Sequence, residues 1–142
     1  MSRLEWLQRI VRGEEEHPPV AKLIGFRLVE VERGRAVIEF EVQPRHWNPQ
    51  GTLHGGITCD IADAAMGMAY ASTITDDTAS FTTIELKINY LRPARSGLLK
   101  ATGYVVKAGR TVGLTECDVH DAEGNLMARA SSTLMTLRSM SS

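Results

Sequence analysis

Apolar and polar residues alternate along this chain with two different periods, that of an α-helix and that of a β-strand. Apolar side chains recur at helical spacing over residues 4–11, which predicts a short amphipathic helix within an N-terminal helical extension of residues 1–19. A further helical turn is expected over residues 20–24, because Gly25 directly after it is a typical residue at which helices end.

Strict alternation, the period of a strand, is found on both sides of one long apolar segment. Two early strands are expected over residues 26–32 and 35–43, with the Arg33-Gly34 pair as the turn between them. Four later strands are expected over residues 81–90, 98–107, 111–120 and 126–137. On the first of these four, the side chains predicted to share one face are Ile84, Leu86, Ile88 and Tyr90.

The long apolar segment, residues 55–74, predicts a helix that lies inside the fold. Asp60 and Asp63 interrupt it, so a buried helix explains it better than a membrane span does. The stripe expected to face the sheet consists of Ile57, Ile61, Ala64, Ala65 and Met68. The other side of this helix is also largely apolar, which implies that a partner subunit or further elements cover it.

The order of elements is two strands, one long helix and then four strands as a meander. This order predicts an α+β fold in which a curved antiparallel sheet wraps around one central helix. With 142 residues, the chain is expected to form a single domain, residues 1–142, that is large enough to bury a core.

Composition and charge narrow the class of protein. The net charge of -1 gives no electrostatic reason to expect binding to nucleic acid or to a membrane. Two cysteines far apart in sequence do not make a disulfide framework, which favours a reducing compartment. Arg3 and Arg9 alternate with acidic residues, without the apolar stretch of a signal peptide. We therefore expect a cytoplasmic protein.

The loop of residues 46–56 is the segment that carries most of the candidate chemistry. It contains two histidines, an asparagine, a proline and three glycines, and it runs directly into the long helix. Free N–H groups at a helix start attract negative charge, and Gly55 and Gly56 would let a ligand approach them closely. Asp60 or Asp63 could then act as an acid or base, or either could cap a backbone group or pair with an arginine in an interface. Spacing alone does not choose between the two.

Several motifs give the chain a resemblance to a known family. They are the segment NPQGTLHGG of residues 48–56 with Asp63 on the following helix, TTIEL at 82–86, NYLRPA at 89–94 and KAGR at 107–110. Together they resemble the hotdog-fold acyl-CoA thioesterases of the PaaI-like group, over roughly residues 23–137. The resemblance implies a hotdog fold, hydrolysis of a thioester to a free acid and CoA, no cofactor, and a homotetramer built from dimers.

The resemblance also implies a role for individual residues. Gly55 would offer its backbone N–H to the thioester oxygen, and Asn48 would position the thioester or the water. His54 would support that loop, Asp63 would be the base or nucleophile, and Thr83 would orient the attacking water. In such enzymes the site lies between two subunits. One would supply Asn48 and Gly55, and the other would supply Asp63 and Thr83.

Two expectations about the site depend on further features of the sequence. Thr83 alternates with the apolar face of its strand, so a β-bulge or the subunit boundary must bring it to the site. The phosphates of CoA need basic partners, and the candidates, with Arg110 and Lys107 as first choices, are Arg110, Lys107, Arg92 and Arg95.

Two alternative interpretations fit the residues less well. His46 and His54 together with the two helical aspartates match no standard zinc spacing, so no metal site is expected. A non-catalytic acyl-CoA or acyl-carrier binding protein of the same fold is the second hypothesis, and Asp63 argues against it. The sequence leaves the acyl group open, since aromatic, short-chain and medium-chain thioesters all fit.

Overall fold

The computed structural model describes residues 1–138, which form three α-helices, one 3₁₀ turn and six strands. The helices are α1 (Arg3–Val11), α2 (Pro19–Ile24) and α3 (Gly55–Ala71), and the 3₁₀ turn is Pro44–His46. The strands are β1 (Phe26–Glu32), β2 (Arg35–Val42), β3 (Ser80–Tyr90), β4 (Gly97–Ala108), β5 (Val112–His120) and β6 (Leu126–Leu137). The predicted order of elements is confirmed.

The six strands form one antiparallel sheet in the order β1-β2-β4-β5-β6-β3. Helix α3 contacts every strand of this sheet, so the sheet curves around it. This arrangement is the hotdog fold, and the predicted fold class is confirmed. Strands β1 and β3 form the two edges, and α1 packs against β1. Within residues 1–138, no helix has the length and apolar character needed to span a membrane.

The buried face of α3 agrees only in part with the predicted stripe. Ile61 and Ala65 are buried as predicted, whereas Ile57, Ala64 and Met68 pack against the core but are only partly buried. The buried positions of the first four turns are Thr58, Ile61, Ala62, Ala65, Met66, Gly67 and Ala69. The curved sheet contacts α3 with all six of its strands, so more than one stripe of the helix is buried. Strand β4 comes closest, since a Cβ atom at Gly103 would lie 2.5 Å from the Ala65 carbonyl and 2.7 Å from the Met66 amide.

The face assignment on β3 was wrong for Ile84. The register with β6 shifts between Thr83, which pairs with Leu134, and Glu85, which pairs with Thr133. This bulge turns the Ile84 side chain outward, where it is 55% exposed. It leaves Thr83 half-buried on the side of α3, as the site prediction required.

The C-terminal end of α3 lies three residues earlier than predicted, at Ala71 rather than Ile74. Ser72 accounts for this end because its hydroxyl donates to the Ala69 carbonyl (2.6 Å) and accepts the amide of Gly34 (2.7 Å). These two bonds tie the turn between β1 and β2 to the end of the helix, and the chain then continues as turns toward β3.

Candidate active site

The loop before α3 is anchored in the core by His46. This ring is 6% exposed and lies against Phe40, with ring centroids 4.6 Å apart. Its Nδ1 accepts the amide of Gln43 (2.9 Å), and its Nε2 lies 2.9 Å from the Ile24 carbonyl, to which it donates. Both nitrogens are thus bonded to backbone groups outside the loop, one of them at the end of α2, which explains the histidine as a structural residue.

Asn48 organises the next part of the loop. Its side-chain Oδ1 accepts the amides of Gln50 (3.0 Å) and Thr52 (3.1 Å), and its Nδ2 donates to Thr52 Oγ1 (2.9 Å). A short polar side chain that bonds the backbone two and four residues later makes a compact turn without secondary structure. One Nδ2–H remains for a ligand, so the geometry leaves room for the predicted contact with a thioester or water.

The first turn of α3 leaves one backbone donor free. His54 is the N-cap, and its Nδ1 accepts the amide of Gly56 (2.8 Å). The His54 carbonyl accepts the amides of Ile57 (3.0 Å) and Thr58 (3.3 Å). Among residues 1–138, Gly55 N–H has no such partner. The capping geometry thus leaves free the same amide, that of Gly55, that the family resemblance named.

A cavity of about 400 Å³ lies beside this free donor. Its lining combines the loop, the start of α3, the end of β3, the segment after β3 and one residue each of β4 and β6. The lining residues are Asn48, Thr52, Leu53, Gly55, Thr58, Tyr90, Leu91, Arg92, Pro93, Ala94, Leu99 and Met127. We call it the donor cavity. The segment after β3 is fixed against the loop, since the Leu53 amide donates to the Ala94 carbonyl (2.7 Å).

Tyr90 contributes to the donor cavity in a way that the sequence did not predict. Its hydroxyl donates to the Gly55 carbonyl (2.8 Å), and a Cβ atom at Gly55 would lie 2.9 Å from its ring. The space in front of Gly55 is therefore occupied by the phenol, and the glycine is needed to admit this side chain. No motif in the sequence indicated this contact, because it depends on where β3 ends relative to α3.

The helical acid lies on a second cavity, of about 340 Å³, which we call the acid cavity. Its lining residues are Gly56, Cys59, Asp60, Asp63, Thr83 and Leu86. Thr83 Oγ1 donates to Asp63 Oδ1 (2.9 Å), so the structure brings these two predicted residues together. This bond leaves the second carboxylate oxygen of Asp63 for water or substrate.

Asp60 and Cys59 share the acid cavity but differ from Asp63 in their partners. Burial, and then the charge of Asp63, raises the pKa of Asp60 above its ordinary value. The same two causes, followed by Asp60, raise the pKa of the Cys59 thiol, which disfavours the thiolate. Within residues 1–138 no hydrogen bond to the Asp60 side chain is found, whereas Asp63 is held by Thr83. Geometry therefore favours Asp63 as the organised acid.

The donor and acid cavities have no lining residue in common. Gly55 and Asp63 are separated by roughly 12 Å along the helix axis, from the rise per residue. A reacting carbonyl has to lie about 3 Å from both its oxyanion donor and its base or nucleophile. One chain by itself therefore does not bring Asn48 and Gly55 together with Asp63 and Thr83.

The basic residues predicted to hold CoA fall into two places. Arg92 lines the donor cavity, and the neighbouring Arg95 is exposed, with its carbonyl accepting Trp47 Nε1 (2.9 Å). Lys107 and Arg110 lie at the hairpin between β4 and β5, where Arg110 lines a different cavity. Within one chain, the structure groups Arg92 with Gly55 and does not group Lys107 or Arg110 with it.

Metal ligands are not clustered in the part of the chain that the structure describes. In residues 1–138 no group of three or more histidine, cysteine, aspartate or glutamate side chains is placed to hold an ion.

Comparison with known proteins identifies the family to which this architecture belongs. Residues 50–128, which include the start of α3 and the Asp63–Thr83 pair, match the Thioesterase superfamily. The chain belongs to this superfamily. The predicted family is confirmed, as is the expectation of a thioester-hydrolysing enzyme.

Relatives of known sequence cover much of the chain. The Caenorhabditis elegans protein F42H10.6 is 36% identical over 111 residues, which are 77% of this chain and 64% of that protein. The 1,4-dihydroxy-2-naphthoyl-CoA hydrolase of Listeria monocytogenes is 31% identical over 111 residues, 78% of this chain and 89% of that one. Human acyl-coenzyme A thioesterase 13 is 29% identical over 135 residues, 93% and 95% of the two chains.

A solved structure agrees with the fold over nearly the full length. The phenylacetic acid degradation-related protein of Ralstonia eutropha superimposes with a TM-score of 0.82 and is 30% identical in sequence. The match covers 92% of this chain and 98% of that one.

Proposed function

We propose that this member of the thioesterase superfamily hydrolyses acyl-CoA thioesters, with the Gly55 amide as oxyanion donor and Asp63 as base or nucleophile. The observation that carries the proposal is the free N–H of Gly55 at the start of α3, a residue that lines the donor cavity, while the neighbouring amides are bonded. The names of the Listeria and human relatives, both of which refer to CoA thioesters, favour CoA as the thiol carrier.

The chemistry follows from the groups of the donor cavity and of the acid cavity. The thioester oxygen would accept the Gly55 N–H, and the dipole of the 17-residue helix α3 would stabilise the negative charge that develops there. Asp63 would take a proton from a water molecule as the water oxygen bonds to the carbonyl carbon, or would attack that carbon itself. Collapse of the tetrahedral intermediate breaks the C–S bond, and the thiolate takes up a proton to leave as CoA. In the nucleophilic route the acyl group is then bonded to Asp63 as an anhydride, and a water molecule must hydrolyse it to release the acid and restore the carboxylate. Thr83 would orient the water by accepting a hydrogen bond from it at Oγ1, while the Thr83 hydroxyl continues to donate to Asp63 Oδ1.

We further propose that two copies of the chain complete each other's site by pairing their β3 edges. Strand β3 has one strand neighbour, β6, so its other side presents unpaired backbone groups. Glu85 and Lys87 are both exposed, and antiparallel pairing centred on Leu86 sets each glutamate opposite the lysine of the second copy. The edge is thus complementary to itself, as a twofold dimer requires.

This pairing would also bring the donor cavity of one copy next to the acid cavity of the other. Thr83 and Tyr90 lie near opposite ends of β3, roughly 23 Å apart by the rise of a strand. Antiparallel pairing brings Thr83 of one copy close to Tyr90 of the other. Thr83 bonds Asp63 and Tyr90 bonds Gly55, so the acid cavity of one copy meets the donor cavity of its neighbour.

The contacts to CoA remain part of the proposal. Arg92 is supported by its place on the donor cavity, and Arg95 by its place on the same segment. Lys107 and Arg110 would reach the substrate only from another copy of the chain, for which the predicted homotetramer of two dimers would provide the geometry.

The test is release of free thiol from a panel of aromatic, short-chain and medium-chain acyl-CoA substrates. Asp63→Asn is expected to lower kcat by about 10²- to 10³-fold, because the amide neither accepts the proton nor attacks. Asp60→Asn is the matched control, since it removes an acid from the same cavity, and it should keep activity within about fivefold of wild type. Binding of acyl-CoA without thiol release by the wild type would contradict the proposal and favour a non-catalytic binding protein. An unchanged rate in Asp63→Asn would contradict the assigned role of Asp63.

A further inference from the structure

We infer that Tyr90 and His54 are positioning residues that together hold the Gly55–Gly56 peptide unit and thereby aim the Gly55 N–H at the substrate carbonyl. The inference rests on the proposed function of Gly55 and adds the residues that fix its orientation.

The two side chains hold opposite ends of the same peptide unit. The Tyr90 hydroxyl donates to the Gly55 carbonyl (2.8 Å), and the Gly56 amide of that unit donates to His54 Nδ1 (2.8 Å). Tyr90 comes from the end of β3, and His54 is the N-cap of α3. The peptide plane is therefore fixed from a strand on one side and from the helix cap on the other.

The backbone at this position has to be held by side chains because its own residues do not restrict it. Two consecutive glycines have more backbone freedom than any other pair, and they form the first turn of a helix, where fraying begins. The N–H that would bind the oxyanion belongs to the adjacent peptide, so its direction depends on the torsion angles of Gly55. An oxyanion donor contributes fully only when its direction is set before the reaction.

The glycines themselves are explained by the same contacts. Neither Gly55 nor Gly56 has a positive φ, so backbone conformation does not require them. A Cβ atom at Gly55 would lie 2.9 Å from the Tyr90 ring, and one at Gly56 would lie 2.9 Å from His54 Nδ1. Both positions lack a side chain because the two holding groups occupy that space.

The protonation states suit these roles. The neutral phenol of Tyr90 can donate a hydrogen bond to a carbonyl oxygen. Burial, with a smaller effect of Cys59, raises the pKa of Tyr90 and so favours this neutral form. His54 accepts an N–H at Nδ1, so that nitrogen carries no proton in this arrangement.

The first test is Tyr90→Phe, which removes the hydroxyl and keeps the ring. We expect kcat to fall about tenfold while KM changes less than about twofold, since the aromatic wall of the cavity is retained and only the donor's direction is loosened. Tyr104→Phe is the matched control, because Tyr104 also donates through its hydroxyl, to Glu116 Oε2 (2.8 Å), on another part of the sheet. An unchanged kcat in Tyr90→Phe, or a change in KM alone, overturns the inference.

The second test asks whether the two residues act on one peptide unit. His54→Ala should lower kcat, and His54→Asn should restore part of it because asparagine supplies an N-cap acceptor. The double variant Tyr90→Phe/His54→Ala should be little worse than the poorer single variant, since one free end already releases the plane. If the decrease in kcat of the double variant equals the product of the two single decreases, the residues act independently and the inference is overturned.

A third measurement does not depend on activity and separates this inference from the proposed function. In protein labelled with ¹⁵N at glycine only, the amide resonances of Gly55 and Gly56 should shift in Tyr90→Phe and stay in place in Tyr104→Phe. If the wild type releases no thiol, the proposed function fails while these shifts still support the holding of the peptide. If the shifts are absent, the inference fails whatever the enzyme does.

Discussion

The donor cavity and the acid cavity differ in how their functional groups are held. Around Gly55, side chains from the loop, the helix cap and the end of β3 fix the backbone through a dense set of hydrogen bonds. Around Asp63, one bond from Thr83 orients the carboxylate, and Asp60 and Cys59 stand beside it without fixing it. A backbone amide is directed only by the conformation of its chain, whereas a carboxylate can rotate toward its partner.

The two cavities are also chemically complementary. The donor cavity offers an N–H and a basic residue, Arg92, while the titratable groups that line the acid cavity are Cys59, Asp60 and Asp63. Each holds one half of what thioester hydrolysis needs. This division leads us to propose that the active unit is a dimer.

The largest expected effect comes from combining two inactive variants. Gly55→Pro removes the donor N–H at the first helical position, where proline is tolerated, although its ring must displace Tyr90. Gly55→Pro and Asp63→Asn should each lose at least about 100-fold in activity. After subunit exchange in an equal mixture, activity should recover to about a quarter of wild type, because half of the dimers carry one intact site of two.

The control for this mixture pairs two variants of the same half, Asp63→Asn with Asp63→Ala, which should show no recovery. Circular dichroism and size-exclusion chromatography establish that each variant is folded and exchanges. If folded, exchanging mixtures of Gly55→Pro and Asp63→Asn stay inactive, the site is not shared between chains.

A smaller effect is expected from reversing charges on the β3 edge. Glu85→Lys or Lys87→Glu sets like charges opposite each other twice per dimer, which should raise the dimer Kd by about tenfold and lower activity in dilute solution. The double reversal restores opposite pairs and should restore both properties. Sedimentation and activity against protein concentration measure this, with Glu41→Lys, at an exposed position of β2, as the control for net charge. Equal Kd values in all variants would place the dimer contact elsewhere.

The smallest effect concerns Asp60 and sharpens the contrast within the acid cavity. Its pKa is raised in the folded chain, so folding favours its protonated form, and its contribution to stability is present at low pH and lost as pH rises through that raised pKa. Asp60→Asn should therefore raise Tm slightly at neutral pH. The gain should shrink as pH falls through the raised pKa toward the ordinary value of 3.8. A Tm difference that grows on acidification would contradict this assignment.

Much of the architecture could be predicted from periodicity because strands and helices bury one face at fixed intervals. The bounds of β1 and β6 agree with the prediction, and those of the other strands differ by at most one residue at each end. The errors occurred where tertiary contacts override the pattern. The bulge at Ile84 reverses a face within one strand, and contacts with all six strands bury α3 beyond the predicted stripe, at Ala62 and Ala69 for example.

The candidate site was predictable in part. The motif residues from Asn48 to Gly55 and the pair Asp63 and Thr83 are recognisable in sequence because each has its own residue type at a characteristic spacing. Tyr90 was missed, since its hydroxyl reaches Gly55 across 35 positions of sequence and carries no local signal. The family resemblance named the Gly55 amide, but that this amide has no hydrogen-bond partner depends on which neighbouring amides are bonded by the cap.

By itself, the sequence determined the order of elements, the family and the residue types of the chemistry, because these follow from local periodicity and from motifs contiguous in the chain. Only the tertiary structure decided which amide at the start of α3 is free, that Thr83 faces Asp63, and that the donor and acid cavities are separate within one chain. Those facts depend on hydrogen bonds and strand registers between segments far apart in sequence, where geometry rather than residue type decides which groups meet.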